Sequence, residues 1–128
     1  MRIIAASLIV YLCVTLWMMS CKNPVSPAAE KRANVIMLEG PIFEDGYTIF
    51  WYKGRVKNIG EANARFTRIY IYARKSDNTL LAQEWTYADD TDLAPQETSA
   101  WSVVFSDSSH VIRDQMDKSK MTYEIKWD

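Results

Sequence analysis

Apolar and polar positions alternate along much of the chain, most clearly between Tyr47 and Gly60. Phe50, Tyr52, Gly54, Val56 and Asn58 share one parity there, and Ile49, Trp51, Lys53, Arg55 and Lys57 share the other. In a strand such sets point to opposite faces. The pattern predicts a central strand, apolar on both sides in its first half and half-buried beneath a basic outer face in its second.

The flanking stretches carry the same period. Asn34 to Leu38 predicts a short first strand stopped by Gly40-Pro41, and Glu44-Asp45-Gly46 a turn into the central strand. From Ala64 to Arg74, Thr67, Ile69, Ile71 and Ala73 alternate with Phe66, Arg68, Tyr70, Tyr72 and Arg74, which assigns the first set to the core. Ser76-Asp77-Asn78 predicts a hairpin turn. The returning strand, Leu80 to Ala88, has two possible inner sets. Leu81, Gln83, Trp85 and Tyr87 are favoured, because the other set (Leu80, Ala82, Glu84, Thr86, Ala88) would bury Glu84. Leu93 to Glu97 predicts a turn before a strand with Trp101, Val103 and Phe105 inside. Ser108 or Ser109 is placed to cap a short helix through Met116, with Ile112 and Met116 on one face. Met121, Tyr123, Ile125 and Trp127 form the inner set of a closing strand. About seven short strands joined by turns, with one short helix near the C-terminus, predict an all-β fold, an antiparallel sandwich.

The N-terminal stretch follows a different rule. After Met1-Arg2, Ile3 to Met19 is apolar apart from Ser7 and Thr15, and Ser20-Cys21 closes the segment. A charged start, an apolar middle and a small residue before the break make a secretory signal. An uncleaved membrane-spanning helix is the alternative, since the run has the minimum length for one. Met18-Met19-Ser20-Cys21 resembles the lipobox of bacterial lipoproteins, with Met18 where Leu is usual. The resemblance implies cleavage between Ser20 and Cys21, lipid attachment at Cys21, and a cell-envelope location. Lys22, rather than Asp, next to that cysteine implies the outer membrane where the source has one. Lys22 to about Arg32, with two prolines and no apolar period, reads as a tether. The expected organisation is a signal peptide over residues 1–20, a lipid anchor and tether over 21–32, and a sandwich domain over 33–128.

Composition narrows the function classes. Both cysteines, Cys13 and Cys21, lie in or beside the signal, so the domain has neither a disulfide frame nor a cysteine metal site. With 15 basic against 16 acidic side chains, no concentrated basic surface points to nucleic acid.

Gly54-x-Val56-x-Asn58-x-Gly60, Ala64, Ile69-x-Ile71 and Leu93-x-Pro95-x-Glu97 before an aromatic strand resemble the bacterial FxLYD-type immunoglobulin-like domains. Gln96 stands where that pattern has Gly, and Trp101-x-Val103 where it has Phe-x-Val. The resemblance implies an immunoglobulin-like topology and turn or core roles for these residues.

Signs of catalysis are sparse. His110, the single histidine, sits in a Ser-rich loop and brings no partner ligands or nucleophile. Asp89, Asp90 and Asp92 lack the Gly and closing Glu of a calcium loop and read as a solvated loop. A carboxylate hydrolase would need Glu84 or this loop to converge with another acid in a cleft. No catalytic residue, metal or cofactor is assigned. Gly54, in mid-strand, marks a bulge or a close backbone approach. The remaining chemistry is an aromatic excess. Ile49, Trp51, Tyr70 and Tyr72 point outward by parity, with Arg55, Arg68 and Arg74 near in sequence, and Trp, Tyr and Arg are common interface anchors. The expectation is a non-enzymatic, membrane-anchored module that binds an envelope protein or serves envelope assembly through this candidate face. The alternative is a glycan-binding module using the same aromatics.

Overall fold

The computed structural model describes residues 30–128. The Ser20-Cys21 cleavage and lipidation site and most of the tether lie outside the described residues.

Eight strands and a short helix follow in order: β1 (Val35–Asp45), β2 (Ile49–Asn58), β3 (Ala64–Arg65), β4 (Arg68–Arg74), β5 (Leu80–Tyr87), β6 (Asp92–Leu93), β7 (Thr98–Ser106), α1 (Val111–Gln115) and β8 (Thr122–Lys126). A 3-10 turn, Lys118–Lys120, precedes β8. All pairing is antiparallel. Sheet one has the order β1-β2-β7, sheet two β5-β4-β8, and β3 pairs with β6 in a small ladder. The fold is an all-β sandwich, as the alternation predicts.

The core lies where the two inner faces meet. β2 contributes Phe50, Tyr52 and Val56, β7 contributes Trp101, Val103 and Phe105, and β4 contributes Ile69, Ile71 and Ala73, all buried. Phe50 and Phe105, paired across β2 and β7, stack at 4.7 Å between ring centres. Trp101 lies opposite Gly54, whose missing side chain leaves room for it. A Cβ there would overlap the Glu39 carbonyl and come within 3.0 Å of the indole.

Four local expectations are corrected. The first strand does not stop at Gly40-Pro41. β1 continues to Asp45 by shifting register twice, between Met37 and Glu39 and between Glu39 and Ile42, and Gly40-Pro41 is a cis peptide. The strand expected from Ala64 to Arg74 is split at Phe66, whose φ of 48° turns the chain from the small ladder into sheet two.

The third correction concerns β5. Trp85 and Tyr87 lie on the outer face, while Ala82 and Thr86 lie inward and Glu84 pairs with Ile71 on the inner side. Counting evenly from the pair Arg74–Leu80 would set Leu81 opposite Ala73 and Trp85 inside. The actual pair is Ala73–Ala82, so Leu81 is a one-residue bulge that reverses every side chain beyond it. Glu84 escapes the burial cost because β5 is a sheet edge, where its side chain is exposed. β8 ends the other edge, which leaves inward-facing Tyr123 43% exposed while Ile125 and Trp127 pack on the core.

The fourth correction is the helix cap. His110 occupies the cap position with φ 60° and no side-chain cap bond, and neither Ser108 nor Ser109 serves. The Asp107 carboxylate accepts from the backbone N–H groups of Ile112 and Arg113, both at 3.0 Å.

The turn Ala94-Pro95-Gln96-Glu97 carries Gln96 at φ 71° and closes through Glu97 N–H to Ala94 C=O at 3.0 Å. That left-handed position explains why Gly suits it. Gln96→Gly is expected to raise stability by about 0.5–1 kcal/mol, the relief of left-handed strain outweighing the greater freedom of the unfolded chain. Urea midpoints of the two proteins check this.

Candidate functional site

The four predicted surface residues do not form one face. Ile49 and Trp51 lie on the outer side of sheet one, Tyr70 and Tyr72 on the outer side of sheet two. Parity separates inside from outside, but it does not say which sheet a strand joins.

On sheet one, Trp51 is half-buried and committed to local contacts. Its indole N–H donates to Glu44 Oε2 at 3.0 Å, and Glu44 also pairs with Lys53. The hydrogen bond from Lys53, then those from Trp51 and the nearby charge, hold the Glu44 carboxyl below its ordinary range. Trp51 thus belongs to a closed polar cluster.

Sheet two carries a larger surface. Its cross-strand register sets side chains in three rows, each reading β5, β4, β8: Tyr87, Arg68, Lys126; Trp85, Tyr70, Glu124; Gln83, Tyr72, Thr122. Arg74 follows Tyr72 on the same face, two residues on along β4. The rings touch in sequence. Phe66 meets Tyr87 at 6.3 Å, Tyr87 meets Trp85 edge-on at 5.1 Å, and Trp85 stacks with Tyr70 at 5.9 Å and 26°. Cations lie over two rings, Lys126 over Tyr70 at 5.0 Å and Arg74 over Tyr72 at 5.6 Å. Trp85, Tyr87 and Phe66 are each about half exposed, at 47%, 45% and 51%. Burial and then the neighbouring Glu124 carboxylate raise the Tyr72 phenol.

Parity places Phe66, Tyr70 and Tyr72 outward, as they are, but sets Trp85 and Tyr87 inside, because the Leu81 bulge that reverses the faces of β5 has no signal in the sequence.

Arg68 pairs with Asp128 at 2.9 Å and Lys126 with Glu124 at 3.6 Å. Among the described residues, Arg74 bonds neutral oxygens, Thr122 Oγ1 and the Asn78 carbonyl, both at 3.2 Å. The face combines half-exposed rings, cations and amide or hydroxyl groups, and at its Phe66 end an open depression of about 190 Å³ is lined by Arg65, Phe66, Thr91 and Asp92.

The acidic residues are arranged otherwise. Asp90 accepts from the Asp92 N–H at 3.1 Å, and its own N–H donates to Ser99 Oγ at 2.8 Å. Asp89 and Glu39 line an open depression of about 330 Å³ on sheet one with Lys53 and Arg55. Both carboxylates are exposed, without the contrast in burial that separates acid from base in hydrolytic pairs. Among the described residues, no three His, Cys, Asp or Glu side chains cluster to hold a metal ion. No helix among them is long and apolar enough to cross a membrane.

No protein-family model matches the chain, and no curated protein matches it either.

Proposed function

We infer that this chain is a cell-envelope protein, held by lipid at Cys21, whose sandwich acts without catalysis as a binding or assembly module. The observation that carries the reading is the run of exposed rings and cations across β5, β4 and β8. Trp85, Tyr87 and Phe66 are half exposed, and Tyr70 and Tyr72 beside them carry Lys126 and Arg74; tryptophan, tyrosine and arginine are side chains that dominate binding surfaces. The lipobox-like Met18-Met19-Ser20-Cys21 and the proline-bearing stretch after it support display from a membrane, which raises the local concentration of a weak binding face. The FxLYD-like pattern is consistent with such a module, its motif residues serving turns and core.

The test is photo-crosslinking in intact cells of the source organism, from a probe at Gln83 on sheet two and from one at Lys57 on sheet one. A single envelope component captured from Gln83 alone is the expected result. Equal capture from both positions, or none, would remove sheet two as the binding face. In the same cells, labelled palmitate should enter the wild-type protein and not Cys21→Ala. No label in the wild type would favour an uncleaved membrane helix.

A further inference from the structure

We propose that the open edge of β7 pairs with the same edge of a second copy of this chain, an interface separate from the sheet-two face. The two main sheets have four edges, and three of them resist a further strand. β1 carries Pro41, two register shifts and the carboxylates of Glu39 and Glu44. β5 has the Leu81 bulge and Glu84 on its inner side, and β8 is five residues long with Glu124 and Lys126. Bulges, prolines, edge charges and shortness are the devices that keep an edge from pairing with another chain. β7 has none of them. It runs from Thr98 to Ser106 without a charged side chain or a proline, and its register with β2 is unbroken.

Among the described residues, β7 has a neighbouring strand in its sheet on one side only. Its backbone phase is fixed at both ends. The Asp107 N–H donates to Thr48 C=O at 3.0 Å, so the odd-numbered residues of β7 bond β2. The Ala100 C=O accepts instead from Asp89 N–H at 2.9 Å, on the opposite side of the strand. Ser102, Val104 and Ser106 therefore turn their N–H and C=O groups to that open side. Asp89 covers the edge at Ala100. Beyond it the flank opens, with Ser102, Val104, Ser106 and, on β5, Glu84 all exposed.

The side chains choose the occupant. Read in either direction, the open positions are Ser, Val, Ser. An antiparallel two-fold pairing centred on Val104 sets that residue against its own copy, and Ser102 against Ser106. β-Branched pairs and paired hydroxyl residues stabilise a ladder. The charges agree. Lys53 lies behind Ser102 and Trp51 behind Val104, so the shared central row is apolar, Trp51 and Val104 from each copy. Each Lys53 falls in a row with Ile49 of the other copy, and no like charges meet across the pairing. The product is one continuous sheet, β1-β2-β7 from each copy. An unrelated strand finds the same backbone groups, but a second copy necessarily matches each side chain with one of its own polarity.

Oxidative disulfide trapping of the full-length chain, in intact cells and in detergent, tests this. Val104→Cys is expected to form a disulfide-linked dimer, since facing residues in such a ladder lie about 5.5 Å apart between Cα atoms. Ser102→Cys, displaced roughly 13 Å along the strands from its own copy, should give at least about tenfold less. The wild type, which has Cys13 and Cys21, sets the background. Ser102→Pro in the Val104→Cys chain removes an N–H that faces the open side, and should cut the dimer about tenfold. Both positions are exposed, and equal thermal midpoints confirm that each variant folds. Where proline lowers the midpoint, Ser102→Lys takes its place, setting a charge on the edge without touching the backbone.

No Val104→Cys dimer above the wild-type background overturns the proposal, as does equal trapping at Ser102→Cys or an undiminished dimer in the folded edge variant. Trapping of a different protein at Val104→Cys would make this edge a docking strand for that partner, and the second copy wrong. The sheet-two face stands or falls separately, by the probe at Gln83.

Discussion

Replacing Asn58 with Ala is expected to destabilise the domain by about 4 kcal/mol, a large part of the roughly 5–15 kcal/mol that holds such a fold. Asn58 is fully buried, and its amide uses every hydrogen-bonding position. Nδ2 donates to the carbonyls of Ala62 at 2.8 Å and Leu93 at 2.9 Å, while Oδ1 accepts from the N–H groups of Gly60 at 3.0 Å and Asn34 at 3.2 Å. Its backbone N–H donates to Glu97 C=O at 3.0 Å, and its C=O accepts from Gln96 N–H at 2.7 Å. The side chain thus joins the segment before β1, the loop after β2 and the end of β6, and the backbone of the same residue holds the turn before β7. Alanine would leave two donors and two acceptors without their partner.

Asn58→Asp should be no milder, since it sets a carboxylate against two carbonyl oxygens. Urea unfolding of the three proteins checks both expectations. A loss under about 1 kcal/mol for Asn58→Ala would mean that water takes over these bonds.

Asp107→Ala is expected to cost about 3 kcal/mol, because the buried carboxylate binds the start of α1 and an almost buried cation together. Besides its two cap bonds, Asp107 Oδ2 accepts from Arg113 Nε at 3.0 Å. Arg113 also donates to Asp45 Oδ1 at 2.6 Å and to the carbonyls of Tyr47 and Asp107. Loss of Asp107 therefore releases both the helix and the turn between β1 and β2.

The pH dependence follows from the same contacts. Burial would raise the Asp107 carboxyl, but the N–H groups of Arg113 and Ile112 and the guanidinium outweigh it and hold the group below its ordinary value. A carboxyl depressed by folding contributes stability that is complete above its unfolded value of about 3.9 and is lost as pH falls toward the folded one. Wild type should lose stability below about pH 4, and Asp107→Asn should show a shallower acid limb. Thermal unfolding between pH 7 and pH 2 reads both, and parallel curves would show that Asp107 carries none of the dependence.

The sequence made β2, the inner set of β4 and the inner set of β7 legible, because each holds strict alternation over a regular ladder. What it left hidden came from irregular pairing. Gly54 was readable as a close approach, but the carbonyl that approaches, Glu39, sits between two register shifts with no distinct signal of their own. Glu84 argued correctly that a carboxylate avoids the core, yet an edge position satisfies that demand as well as an outward one does. The Leu81 bulge, which exchanged the faces of β5, is fixed by pairing with β4 and not by residue type. Asn58 was visible as a motif residue, but its role depends on Leu93, 35 residues away. The candidate face was half legible for the same reason: outward residues are found by parity, and their companions only by sheet order.

The Arg32 carbonyl accepts from the N–H groups of Glu61 at 2.8 Å and Ala62 at 3.3 Å, and Asp128 exchanges two backbone bonds with Arg65, at 3.0 and 2.8 Å. Five consecutive residues, 61–65, thus hold both the segment before β1 and the residue beyond β8, so an insertion among them would loosen the two together although they are nearly a hundred positions apart in the chain.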